Sequence, residues 1–373
     1  MNVGFISLGC SKNLIDTEVA IGLFKENHYK IVNKPEDADI LVVNTCGFIE
    51  SAKEEAINTI LEMAEYKKQS CKYLIAMGCL VERYKEELQK LIPEVDLYIK
   101  YSEYGTLWEQ IENLIKNDKG ETTTFDFNEY TDRVITTGEN YAYIKIADGC
   151  SNCCTFCAIP RIRGIQKSRT IESIVQEAQK LADDGYKEII LTAQDTTRYG
   201  QDIYGTPKLV QLLKEIEKID KIKWIRILYS NPETITDELI KTVKESSKIC
   251  HYFDIPIQHI SDTILKKMNR RTNKQQIENL LEKLRKEIPD VTLRTSLIVG
   301  FPGETQKDFE ELSEFVRIAK FDKLGAFMYS KEEGTPAARL PEQIHGNTKK
   351  SRYNKIMEIQ QRISNENLKN KIG

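Results

Sequence analysis

Four cysteines, Cys150, Cys153, Cys154 and Cys157, fall within eight residues at the end of a β-rich run, YAYIKIADGCSNCCTFCAIPRIRG (residues 141–164). No other stretch restricts the fold and chemistry of the chain as much. Cys150, Cys154 and Cys157 stand at the spacing C-x3-C-x2-C, with the aromatic Phe156 just before the last. Three thiolates from one short loop can hold three irons of a cubane cluster and leave the fourth iron open to a small molecule. Two zinc knuckles, Cys150-x2-Cys153 and Cys154-x2-Cys157, would be too crowded, because zinc pairs normally lie about a dozen or more residues apart so that two turns face each other. A disulfide framework fits poorly as well, since there is no apolar signal segment and no compact secreted spacing of cysteines. Cys153 is then the spare thiol, because neighbours on an extended loop point apart.

With 373 residues the chain exceeds one ordinary domain, and a hydrophobic content of 40% suffices for two or three cores. No stretch approaches a membrane span, so a soluble, cytoplasmic protein without a membrane partner is expected. The net charge of −3 counts mildly against a wholly basic, nucleic-acid-coating surface and leaves room for a local patch. Nine cysteines in a reducing compartment point to metal ligands rather than bridges.

The first segment, residues 1–119, alternates short apolar runs with charged amphipathic stretches. Residues 3–8 (VGFISL), 39–44 (DILVVN), 73–77 (YLIAM) and 95–99 (VDLYI) read as buried strands, followed by helical patterns such as SAKEEAINTILEMAEYKK. The expected fold class is α/β: a flavodoxin-like parallel sheet with helices on both faces. In such sheets functional groups gather at the carboxyl edge of the strands. Three of those edges carry a cysteine: Cys10 in SLGCSKN, Cys46 in NTCGF and Cys79 in AMGCL. Cys71 and Cys250 read as small buried apolar residues, the commonest fate of a free cysteine. For the three strand-end cysteines, two of them preceded by Gly9 and Gly78, a second cluster site is the better reading, since glycine permits close backbone approach.

SLGCSKNLIDTE, NTCGFIESAKEEAI and ADGCSNCCTFCAIPRIRG together resemble the methylthiotransferase family of radical S-adenosylmethionine enzymes. The resemblance runs over nearly all the chain. It implies an amino-terminal domain with an auxiliary 4Fe-4S cluster on Cys10, Cys46 and Cys79, and a central radical domain whose 4Fe-4S cluster sits on Cys150, Cys154 and Cys157. It also implies a small carboxyl-terminal β-barrel, called TRAM, that would begin about where the chain stops at Gly373, so the sequence departs from the family pattern there.

Residues 120–140 lack sustained periodicity and read as a linker, with a short strand at 134–136. The second domain, residues 141–340, repeats strand and helix about six times, with strands expected at 142–147, 188–193, 224–229, 252–257, 291–299 and 324–329. Helices such as SIVQEAQKLADDG and QIENLLEKLRKEI intervene. Six units suggest a partial (β/α)6 barrel with chemistry at the carboxyl ends of its strands. Residues 341–373 read as a charged carboxyl-terminal helix with Tyr353, Ile356, Ile359 and Ile363 at helical spacing.

Strand alternation places Arg294, Ser296 and Ile298 on one face, with Arg226 and Asp254 at equivalent parity on their strands. The resemblance implies that Ile298 lies beside the adenine, which would turn Arg294 inward too. Arg226, Asp254 and Arg294 read equally well as a structural charge network. Asp195 and Ser230, at strand ends, are the better polar candidates for S-adenosylmethionine, with Phe156 and the tight turn at Gly300. Asp195 could equally be a turn cap, and His259 reads as a structural histidine or a substrate contact.

The resemblance further implies a catalytic role carried by the cofactors, two 4Fe-4S clusters and S-adenosylmethionine, with no catalytic side chain beyond the cluster ligands. TAQDTTRYG and YSKEEGTPAA look like the branch that modifies the β-carbon of an aspartate in small-subunit ribosomal protein S-twelve, rather than the branches that modify tRNA adenosine. Implied partners are that ribosomal protein, an electron donor such as flavodoxin or ferredoxin, and a sulfur donor, with tRNA as the alternative substrate. A non-enzymatic iron-sulfur electron carrier or sensor would explain six cysteines but leave an open-iron loop on a barrel mouth without a use.

Overall fold

A computed structural model describes residues 1–116, 125–127, 129 and 132–369 of the chain. The amino-terminal part is built on five strands, β1 (Asn2–Ser7), β2 (Lys30–Val32), β3 (Ile40–Thr45), β4 (Tyr73–Gly78) and β5 (Leu97–Lys100). They pair in parallel in the order β2-β1-β3-β4-β5, the doubly wound arrangement expected from the alternating pattern. β2 was not anticipated. It is three residues at the sheet edge, too short to display an alternation.

The central strand β3 is buried along its whole length. Leu41 and Val43 face a core with Ile60 and Leu80, from the helices α2 (Glu50–Glu65) and α3 (Cys79–Leu91). Ile40 and Val42 face the opposite core with Val19, Phe24 and Leu107, from α1 (Ser11–Glu26) and α4 (Leu107–Lys116). Burial on both faces explains why such a strand reads as a continuous apolar run rather than an alternating one.

In the second part, β6 (Tyr141–Lys145) runs on into β7 (Ala147–Asp148), which pairs antiparallel with β8 (Lys167–Ser168) and so closes the cysteine loop at its base. β6, β9 (Glu188–Thr192) and β10 (Trp224–Ile227) form one parallel set, and β11 (Tyr252–Gln258), β12 (Thr292–Val299) and β13 (Lys323–Met328) another. The sets join where Ile225 bridges Ile249 and where the Ser230 N–H donates to the Asp254 carbonyl at 2.7 Å. The result is the expected six-stranded partial barrel. α1 packs along its β6 edge. The carboxyl-terminal helix Gly346–Lys369 packs on β13 and buries Ile356, Ile359 and Ile363.

The expected strand at 134–136 is absent. Val134 donates its N–H to the Glu18 carbonyl at 3.1 Å and Thr136 donates its N–H to the Glu18 carboxylate at 2.7 Å, so this segment is held by the side of α1 and not by a sheet. Residues 117–124, within the expected linker and the end of the first segment, lie outside the described residues, as do residues 370–373.

Candidate active site

β7 delivers the chain into the Cys150–Cys157 loop at the mouth of the barrel, and backbone contacts fix that loop from both sides. Cys150 donates its N–H to the Gly164 carbonyl at 3.0 Å, and Thr155 donates its N–H to the Met268 carbonyl at 3.1 Å and its hydroxyl to the Lys267 carbonyl at 2.8 Å. Burial pushes the Cys150 thiol up to about 11 and the Cys157 thiol up to about 12, and it raises Cys154 despite the nearby Arg270. Arg270 Nη1 stands 3.8 Å from Cys154 Sγ as a donor. Cys153 sits at φ 54°, exposed, with its sulfur turned to the Ser151 carbonyl, in keeping with its reading as the spare thiol.

Cys10, Cys46 and Cys79 follow β1, β3 and β4 and share the carboxyl edge of the amino-terminal sheet. Two glycines bring these loops together. At Gly9 (φ +91°) a Cβ would lie 2.8 Å from Cys46 Cβ, and at Gly78 (φ +104°) it would lie 2.4 Å from Asn44 Oδ1. The glycines therefore serve loop-to-loop contact within the protein. Burial raises the Cys79 thiol to about 12 and raises Cys46. At Cys10 burial also acts upward, but Lys12, Arg163 and the backbone N–H groups of Asn13 and Lys12 outweigh it and lower the thiol. Cys10 also precedes the first residue of α1, where the positive end of the helix dipole favours a thiolate.

All nine cysteines are free. Among the described residues, no three His, Cys, Asp or Glu side chains converge closely enough to hold a single metal ion. A zinc site would demand that convergence, with Zn–S bonds of about 2.3 Å. In a 4Fe-4S cluster each thiolate would bind a different iron, a chemistry that the all-cysteine donor set of either triad suits.

The loops that carry the two triads meet through Cys79. Cys79 packs against Ala158 and Ile162, in and beside the short helix α5 (Ile159–Ile162) that follows Cys157. Ser11 and Thr192 hydroxyls meet at 3.3 Å, and Lys12 Nζ donates to the Ala193 carbonyl at 3.3 Å, directly after β9. On the far side, the segment after β13 closes on the first part of the chain. Arg83 pairs with Glu332 at 2.7 Å, and Lys53 approaches the same carboxylate at 3.4 Å.

Several residues singled out in the sequence gather here. Phe156 and Ile298 pack on one apolar cluster with Ile264, Met268, Phe301 and Tyr329. Asp195 caps the turn at Thr196–Arg198 through the Thr197 N–H at 3.1 Å, and its other oxygen accepts from Asn152 of the cysteine loop at 2.7 Å. Ser230 is buried beside it, and Asn231 donates to Asp195 at 3.3 Å. Gly300 (φ +71°) turns the chain after β12 and donates its N–H to Glu304 at 2.7 Å. Arg294 lies near the start of β12 and pairs with Asp254 at 2.7 Å. Arg226, expected with them, pairs instead with Glu188 at 2.6 Å. His259 is fully buried, accepts from the Ser261 N–H at 3.0 Å and faces Glu304 at 3.7 Å.

Two family descriptions match the chain: Radical SAM superfamily over residues 144–316 and Uncharacterized protein family UPF0004 over residues 2–100. A protein of Alkaliphilus oremlandii (strain OhILAs), named ribosomal protein uS12 methylthiotransferase RimO, is 63% identical over 373 residues, covering 100% of this chain and 84% of the relative. A protein of the same name from Clostridium perfringens (strain 13 / Type A) is 52% identical over 377 residues, with 100% and 84% covered. The chain belongs to the RimO family. As a radical SAM protein within that family it implies a 4Fe-4S cluster and S-adenosylmethionine. In fold, RimO family architecture as seen in this chain is similar to the radical S-adenosylmethionine methyltransferase TsrM from Kitasatospora setae, at TM-score 0.66 and 13% identity over 90% of this chain and 73% of the other. It is also similar to the cobalamin-dependent S-adenosylmethionine radical enzyme OxsB, at 0.61 and 14%, over 98% and 56%.

The sequence reading passed over Lys12, Asp16, Asn152, Arg163 and Arg270, all of which sit between or beside the triads in this RimO family member. Lys12, Asp16, Asn152 and Arg163 lie within the quoted motifs, where their closeness to cysteines is a usable signal. Arg270 gives none, because Cys154 is 116 residues away in sequence.

Proposed function

We propose that this chain is a radical S-adenosylmethionine methylthiotransferase that adds a methylthio group to the β-carbon of an aspartate in ribosomal protein uS12. The observation that carries the reading is that Cys79, at the sheet edge shared with Cys10 and Cys46, packs on the helix that follows Cys150, Cys154 and Cys157. Its relatives named as uS12 methylthiotransferases support the choice of substrate. Each triad would hold one 4Fe-4S cluster through three thiolates. Bound there with S-adenosylmethionine, the clusters supply reductive cleavage, removal of a hydrogen from an unactivated C–H bond and delivery of a methylated sulfur.

The residues of the chain position and shield. Asn152, Asp195 and Asn231 form a polar row beside the cysteine loop that suits the methionine end of S-adenosylmethionine. Phe156 and Ile298 offer an apolar wall for its adenosyl part. Arg270 places positive charge at Cys154, and the contacts of Lys53 and Arg83 to Glu332 seal one flank against water. An electron donor such as flavodoxin or ferredoxin and a sulfur donor complete the requirements of the reaction.

The test is mass spectrometry of uS12 and of bulk tRNA nucleosides from a strain lacking the gene, set against its parent. Loss of the methylthio increment from the uS12 aspartate, with tRNA unchanged, is the expected result. Loss from a tRNA adenosine instead would overturn the substrate.

A further inference from the structure

Six cationic side chains are buried among the described residues: Lys12, Arg133, Lys145, Arg163, Arg169 and Arg352. Five of them meet a carboxylate. Arg133 pairs with Glu18 and Glu177, Lys145 and Arg163 with Asp16 and Asp148, Arg169 with Glu177, and Arg352 with Glu304. Lys12 is 7% exposed and meets none among the described residues. Its ammonium donates to the Ala193 carbonyl at 3.3 Å and lies 3.6 Å from the centroid of the Tyr229 ring. A carbonyl and a ring face stabilise a buried ammonium only in part, and a buried charge without a counter-charge is costly.

Its position limits the kind of anion that it can meet. Lys12 stands two residues after Cys10 and reaches across the junction to the carboxyl ends of β9 and β10, on the barrel side of the amino-terminal triad. Cys10 takes backbone hydrogen bonds from Lys12 and Asn13 and lies within reach of the Lys12 charge, while the Lys12 ammonium makes its hydrogen bond on the barrel side, to the Ala193 carbonyl. An ammonium carries three donors, and Ala193 uses one.

Resting on the function proposed above, we infer that Lys12 is the seat for the side-chain carboxylate of the target aspartate. In an aspartate the carboxyl carbon is bonded directly to the β-carbon. Holding the carboxylate therefore fixes the reacting C–H bond to within one bond of the anchor. A nucleobase has no carboxylate, so the same ammonium would separate an aspartate from an adenosine substrate.

The experiment uses the full chain with its clusters loaded, under anaerobic conditions, and two labelled peptides. One carries the uS12 target aspartate with its flanking sequence, and the other has that aspartate changed to Asn. The unaltered chain should prefer the aspartate peptide by about tenfold or more in Kd, the worth of a charge-assisted hydrogen bond. Lys12→Met should abolish that preference while leaving iron content and the cluster electron paramagnetic resonance signals unchanged. Lys12→Gln, which keeps a polar, uncharged donor at that position, should behave alike and covers the case in which Lys12→Met does not fold. The inference is overturned if either folded variant keeps the preference, weakens both peptides equally, or loses iron, the last result assigning Lys12 to the auxiliary cluster. If the unaltered chain ignores both peptides and uS12 keeps its modification in the strain lacking the gene, the proposed function has failed first.

Discussion

Arg163 and Asp16 meet across the junction of the two parts of the chain, with Nη2 donating to Oδ2 at 2.7 Å and both side chains buried. Arg163 also donates to Asp148 at 2.7 Å and to Asn13 at 2.6 Å, while Lys145 spans the same two carboxylates at 2.7 and 2.9 Å. Two cations thus face two anions, and Tyr101 donates to Asp148 at 2.7 Å. Burial alone would raise the Asp148 carboxyl, but Arg163 and Lys145 outweigh it and hold Asp148 well below the usual carboxylate range.

Replacing Arg163 with Met should therefore strand a buried negative charge. The expected loss is about 3–5 kcal/mol of stability. A thermal melt checks it, and Asp16→Asn in the Arg163→Met background should recover part of the loss, because the two residues are coupled. An unchanged Tm would show that the network contributes nothing net.

The two triads predict an iron count. The reconstituted chain should hold about eight irons, and changing Cys10, Cys46 and Cys79 together to Ala should remove about half. Retention of all iron would remove those three residues from the ligand set.

Gly78→Ala should act on the same site without touching a thiol. The backbone at Gly78 has φ 104° and ψ −159°, a region essentially reserved for glycine, and a new Cβ would lie 2.7 Å from the Thr45 carbonyl. We expect a cost of at least about 1–3 kcal/mol together with iron loss confined to the amino-terminal triad. A variant with full iron and unchanged Tm would show that the β4–α3 turn has room to relax.

Alkali should unfold the chain when it is stripped of iron. Cys79 and Cys157 rise from an ordinary value of 9.0 to about 12 on burial. Between those values the unfolded chain has lost these protons and the folded chain still holds them, so stability is full below about 9 and falls as pH rises toward 12. Denaturant melts across that range check the sign. Iron binding must displace the same protons, so a loaded chain should show a weaker alkaline loss.

Much of the fold was legible because its strands are short apolar runs bounded by charged helices. The run expected at 252–257 is found as Tyr252–Gln258, and that at 188–193 as Glu188–Thr192. The convergence of Cys10, Cys46 and Cys79 on one sheet edge followed from parallel topology alone. The ion network was not legible, since Arg163 and Asp16 stand 147 residues apart and no local pattern pairs them. Parity misplaced Arg226 for a related reason. It identifies the face a side chain takes but not which neighbour along the rim is nearest, and Glu188 on the adjacent strand holds it. Lys12 lay in plain view inside SLGCSKN, yet its lack of a carboxylate partner is visible only in three dimensions.

The junction network divides its charges unevenly between the two parts. Asp16 and Glu18 come from α1, whereas Lys145, Arg163 and Arg133 follow later in the chain. A gene cut between codons 116 and 132 would yield one product with two orphaned acids and another with a surplus of buried bases. Neither product could be traded for a counterpart that lacks the matching charges. Each part of the chain therefore depends on the other for the charge balance of its buried ions.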